Sequence, residues 1–202
     1  MNICDYIRDN DLTFKMVDGN MHQVETLYLG DKNITSLDGF VQNGDLDLSN
    51  NQITSLDGFV QNGQLDLRYN NITSLKGFVQ NGYLNLRYNQ ITSLDGFVQN
   101  GFLSLSDNLI KSLDGFTQNS DLDLRHNKIT SLKDFVQNNI VYLAHYWHFD
   151  KMEDGSLNIG CVNKSIEEWN TFFDNGDEIQ LKNDSEEYLE IKKYFKMLYI
   201  NN

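Results

Sequence analysis

The chain has 202 residues, 40% of them hydrophobic, a formal net charge of −13, two cysteines and no proline. So large an acidic excess repels a phosphate backbone and argues against direct nucleic-acid binding, and no run of about 18 apolar residues offers a membrane span. Two thiols are too few for a disulfide-framed secreted domain, and Met1 to Asn10 has no apolar signal core, so a reducing, cytoplasmic setting is expected.

Residues 1–25 carry five acids and two bases and show no repeat, so they read as an N-terminal cap. A 19-residue unit then runs over residues 26–144. Ile-Thr-Ser-Leu begins at Ile34, Ile53, Ile72, Ile91 and Ile129, with Ile-Lys-Ser-Leu at Ile110. Upstream of each lies Leu-x-Leu, from Leu27/Leu29 to Leu122/Leu124, and a degenerate copy falls on schedule at Val141/Leu143. An asparagine follows at Asn51, Asn70, Asn89, Asn108 and Asn127, with Lys32 in its place in the first unit. A phenylalanine closes the apolar set in all six units, from Phe40 to Phe135.

Leu-x-Leu predicts a short strand with both leucines inward. One unit cannot bury its apolar side chains; stacked units can. The pattern resembles the leucine-rich repeats, in particular the class with Ile-x-x-Leu-Asp-Gly-Phe, although each unit lacks about three residues on the convex side. The resemblance implies a solenoid, here mostly β without convex helices, of seven parallel rungs. It also implies that Asn51, Asn70, Asn89, Asn108 and Asn127 form a hydrogen-bonded ladder. Gln42 to Gln137 make a further column expected to bond along the stack. The Gln-Asn-Gly turns at Gly44, Gly63, Gly82 and Gly101 predict positive φ, with Ser120 and Asn139 in the last two units.

Residues 145–202 are the most acidic part and read as a C-terminal cap. Trp147–Met152 and Ser156–Val162 around Glu153-Asp154-Gly155 predict a β-hairpin. Ser165 and Glu168 form a capping box opening a helix that ends near Gly176. A second helix is expected from Asp184, with Tyr188, Ile191, Phe195 and Leu198 on its apolar face. The stretch Ile159 to Trp169 is similar to a C-terminal module of phage-related repeat proteins, which implies a phage or viral source.

No catalytic set stands out, and an enzyme is not expected. His126 and His145 lie one period apart with His148 nearby, as three zinc ligands could, but surface histidines on polar columns are the plainer reading. Asp150 to Cys161 opens like a calcium loop, yet Met152 and Cys161 stand where carboxylates belong. Cys161 is expected to be buried in the cap. No metal and no cofactor is predicted.

The strand face is the candidate site. Register places Arg68, Tyr69, Tyr83, Arg87, Tyr88 and Phe102 on its middle rungs, and tyrosine and arginine are the residues enriched in binding hot spots. The bland alternative pairs Arg68 with Asp47 and Arg87 with Asp66 across rungs. The expected function is a non-catalytic module binding a protein partner, such as a host factor. An acidic inhibitor of a nucleic-acid-binding host enzyme and a structural virion role stand as alternatives.

Overall fold

Within each unit the leucines alternate with polar residues, so a two-residue strand can bury one side and pair along both edges. The computed structural model describes residues 1–144, 147–177 and 185–200. It is a parallel β-solenoid with 19-residue turns. Seven front strands, beginning at Leu27, Leu46, Leu65, Leu84, Leu103, Leu122 and Val141, pair in parallel with leucine over leucine, for example Leu84↔Leu103 and Leu103↔Leu122. We number the rungs one to seven from these residues. The isoleucines, leucines and all but one of the column phenylalanines are buried between the front strands and back strands such as Val98–Gln99. Phe116 alone in its column is only partly buried.

Two polar ladders hold the turns. Asn89 Nδ2 donates to Leu67 O of the rung before (2.9 Å) and to Leu86 O of its own (3.1 Å), and its Oδ1 accepts from Ile72 N (3.0 Å). Asn51, Asn70, Asn108 and Asn127 repeat this pattern. On the back, Gln42, Gln61, Gln80 and Gln99 each donate to a backbone carbonyl of the preceding rung. Gln118 and Gln137 point the other way, to Ile140 O and Phe149 O.

The glycines of the Gln-Asn-Gly turns correct the expectation of positive φ. Left-handed backbone occurs instead at Gly39, Gly58, Gly77, Gly96 and Gly115, five residues earlier, and at Asp134 in the sixth unit. Gly44, Gly63, Gly82 and Gly101 are required by contact. A Cβ on Gly82 would lie 2.8 Å from Gly63 O, and one on Gly63 or Gly101 would be closer still to the rung beneath. Ser120 carries that Cβ, so rung five cannot nest on Gly101 in the same way. The back strands fall into three groups, parting between rungs two and three as well as here, with Val98–Gln99 paired to rung three and Thr117–Gln118 paired to rung six. The stacked phenylalanines run from Phe40 to Phe97 and resume at Phe116–Phe135.

The N-terminal segment hides half a rung. Met21 and Gln23 sit in register with Phe40 and Gln42, so the back strand starts before the first Leu-x-Leu. Helix α1 (Ile3–Asp9), capped by Asn2, seals the end with buried Ile3 and Ile7, and Ile3 N donates to Ser36 O. Beyond rung seven the front sheet continues antiparallel through Trp147–Lys151, Leu157–Ile159 and Val162–Lys164. The predicted single hairpin is therefore two. The second arm turns at Gly160, where φ is +61° and a Cβ would collide with the Trp147 ring. That turn leaves Cys161 exposed rather than buried.

Helix α2 (Ile166–Asn175) has the Ser165/Glu168 capping box and the left-handed Gly176 stop. Its Trp169 is fully buried and donates to Leu157 O. Helix α3 (Glu186–Tyr199) is capped by Ser185; the expected start at Asp184 lies outside the described residues. It buries Tyr188, Ile191, Phe195 and Leu198, together with Tyr194. Lys193 Nζ reaches Ile129 O, and Tyr199 donates to Gln137 Oε1, which ties the helix to the last rungs. Burial pushes the Tyr194 hydroxyl up to about 12 and the Tyr199 hydroxyl further. Among the described residues, no helix is long and apolar enough to cross a membrane.

Candidate functional site

A rigid sheet displays side chains at fixed spacing, so the strand face can be read column by column. The six candidate residues fall into two groups along opposite margins. Tyr83 and Phe102 open their rungs and stack at 5.4 Å, nearly parallel. Tyr69 and Tyr88 lie just past their strands and stack at 4.5 Å. Five residues separate Tyr83 from Tyr88, roughly 15 Å of extended chain. Arg68 and Arg87 lie beside the second pair, with the Arg87 guanidinium 5.5 Å from the Tyr88 ring.

The floor between the margins is unlike the register prediction. Asn85, Ser104 and Asp123 face outward yet are buried, because longer neighbours shield these short side chains. The face is thus a shallow trough on rungs four to six. The expected ion pairs also differ. Arg68 pairs with Asp66 of its own strand at 3.3 Å, and Arg87 with Asp107 of the next rung at 3.7 Å. An aspartate two residues before an arginine can fold back onto its backbone, as Asp66 does with Arg68 N. Asp47 accepts instead from Ser49 N.

Two features set these rungs apart. First, Tyr69 and Tyr88 have φ of 56° and 55°. The left-handed region costs a side chain with Cβ roughly 1–2 kcal/mol, and Asn50 shows that asparagine fits the same turn. Second, Arg87 Nε, Ser106 Oγ and Asp107 Oδ2 are buried without a hydrogen-bond partner. The 3.7 Å between Arg87 and Asp107 is an ion pair too long for a hydrogen bond. Buried polar groups are normally satisfied, so three orphans at adjoining positions are unusual. Sequence reading missed Ser106 and Asp107, whose types and positions look unremarkable within their columns.

Toward the N-terminal end, a concavity of about 270 Å³ is bordered by Tyr28 and Tyr83, with Asp45, Asp47 and Asp66 among its lining. Burial holds the Asp66 carboxyl above its ordinary value, outweighing its contacts with Arg68. The Tyr83 hydroxyl is also raised, by burial and then by the Asp66 charge. A carboxyl that binds its proton more tightly when folded weakens the fold while ionised, and that cost is relieved as pH falls through its folded pKa toward the unfolded value. Asp66→Asn is therefore expected to be more stable than the parent near neutral pH, with the difference shrinking on acidification. Urea denaturation of both at about pH 7 and about pH 4.5 checks this, since the second pH lies near an ordinary carboxyl value.

His148 packs at a tilt against Tyr142, and His145 lies outside the described residues. Among the described residues, no three histidine, cysteine or acidic side chains converge as metal ligands. No family model, curated protein or solved structure matches the chain.

Proposed function

We propose that the chain is a non-catalytic interaction module of the leucine-rich-repeat type, engaging a protein partner with the strand face of rungs three to five. The 19-residue register and the asparagine ladder support the family reading. The observation that carries the function is the coincidence of the unsatisfied Arg87 Nε, Ser106 Oγ and Asp107 Oδ2 with two stacked aromatic pairs. A partner backbone or polar side chain supplies the missing bonds, and the tyrosines give rigid contact area at small entropic cost. Holding two tyrosines in left-handed backbone fits a position kept for binding rather than for folding.

The test is capture of protein from an extract of the native host by the immobilised chain. Joint replacement of Tyr83, Arg87 and Phe102 by alanine is expected to lower capture at least about tenfold, which corresponds to about 1.4 kcal/mol. The melting temperature should change little, since the three side chains lie outside the buried core. Undiminished capture by the triple variant overturns the assignment of this face.

The acidic concavity at Tyr28 and Tyr83 favours a second reading, an acidic inhibitor that seats a basic groove of a nucleic-acid-binding enzyme. On that reading affinity falls steeply between low and high salt, whereas contacts dominated by stacking persist.

A further inference from the structure

The solenoid contains a fault that the strand face does not use. Between rungs four and five the back opens into a cleft of about 360 Å³, lined on one side by Phe97 and Val98 and on the other by Phe116 and Thr117. Its origin is the Cβ of Ser120, which occupies the place where Gly101 lets rung four rest on Gly82. Three features accompany the separation. Phe116 stacks on Phe135 but not on Phe97, and it is only partly buried. Gln118 turns away from rung four and donates to Ser120 O and Ile140 O. Gln99 Oε1 and Gln118 Oε1 are left buried with no hydrogen-bond partner. Gln61 Oε1 and Gln80 Oε1, by contrast, accept from the next backbone N–H. Gln42 Oε1 is also unpaired, but in a part of the column where the phenylalanine stack is intact.

Gln99 lines both the cleft and a smaller void of about 10 Å³ that also touches Phe116 and Gln118. The void has room for about one donor atom or one water. The lining therefore pairs two aromatic walls with two unpaired acceptors, a combination that neither a bare apolar groove nor a polar crevice offers.

We propose that this cleft binds a planar aromatic ring bearing an N–H donor, which inserts between Phe97 and Phe116 and donates to the orphaned Gln99 Oε1. The ring takes the place of the missing step in the phenylalanine stack, where offset aromatic contacts are favourable. Indole chemistry fits, whether as a free small molecule or as a tryptophan side chain on an extended peptide. The site is on the opposite face from the proposed partner surface and does not depend on it.

The probes are indole, benzofuran, which has the same shape without the donor, and the blocked peptide acetyl-Gly-Trp-Gly-amide. Binding is read from the backbone amide resonances of Gly96, Gly115 and Asn119 in the full chain. Saturable shifts at these amides are expected with indole or the peptide, and the tighter of the two identifies the source. Benzofuran should bind about fivefold more weakly, the worth of one ordinary hydrogen bond. Ser120→Gly should let the rungs nest, bring the Phe97 and Phe116 rings into mutual contact by ring-proton cross-relaxation, and abolish the shifts. Absence of saturable shifts with both indole and the peptide overturns the site. A Ser120→Gly chain that stays folded and still binds as the parent does overturns it equally. Equal binding of indole and benzofuran overturns the role given to Gln99.

Discussion

Replacing Asn89 by alanine is expected to lower the unfolding free energy by about 3 kcal/mol, at about 1 kcal/mol for each of three buried hydrogen bonds lost. The three partners are Leu67 O, Leu86 O and Ile72 N, drawn from two successive rungs. Alanine satisfies none of them. Leucine at the same position should do no better, because the loss is one of pairing and not of apolar volume. Asn127, whose ladder bonds are only part-buried, should cost less when replaced. Urea denaturation of the two variants measures the contrast. Equal and small losses at both positions would remove the ladder from the account of what holds the turns. Against a typical domain stability of about 5–15 kcal/mol, one ladder residue is a large share.

Gly101→Ala is the second large effect, expected to cost about 2–3 kcal/mol, as overpacking against a rigid backbone does. The added methyl points at Gly82 O and the backbone behind it, which cannot move without parting rungs three and four. Its counterpart is Gly58→Asn. Gly58 has φ of 69° and open space where a Cβ would go. Asparagine tolerates that region, so this change should cost only a few tenths of a kcal/mol. The two glycine columns of the repeat thus answer oppositely to comparable substitutions. Thermal melts of Gly101→Ala and Gly58→Asn separate contact from conformation, and similar behaviour of the two would refute the distinction.

Much of this architecture is legible in the residues themselves. Strand register, buried columns and the asparagine ladder follow from a period that repeats without insertion, because every copy votes for the same reading. Helix α2 is legible for a different reason: Ser165, Glu168 and Gly176 act locally and need no tertiary context. What escaped is of another kind. Glycine records that a side chain is forbidden but not why, so the steric role of Gly82 looked like a φ requirement. Met21 and Gln23 hide their half-rung because methionine stands where phenylalanine stands later. Gly160 was read as part of a strand, since the Trp147 ring that demands it lies thirteen residues away in sequence. Of the candidate site, the aromatic and arginine members were found from residue type. Their division into two margins, and the orphaned Ser106 and Asp107, depend on which atoms meet across rungs, and columns do not encode that.

The reversal of the glutamine amides has a consequence for how the molecule is assembled. Rungs one to four pass their amide bonds back toward α1, and rungs five and six pass theirs forward toward the antiparallel tail. Each block of rungs thus shares its amide direction with the cap at its own end, and the blocks meet at Ser120 as a seam. The front strands cross that seam unbroken, with Leu84 on Leu103. The solenoid is two half-books bound to one spine. A nineteen-residue page inserted between them would cut fewer back contacts than one inserted anywhere within either half.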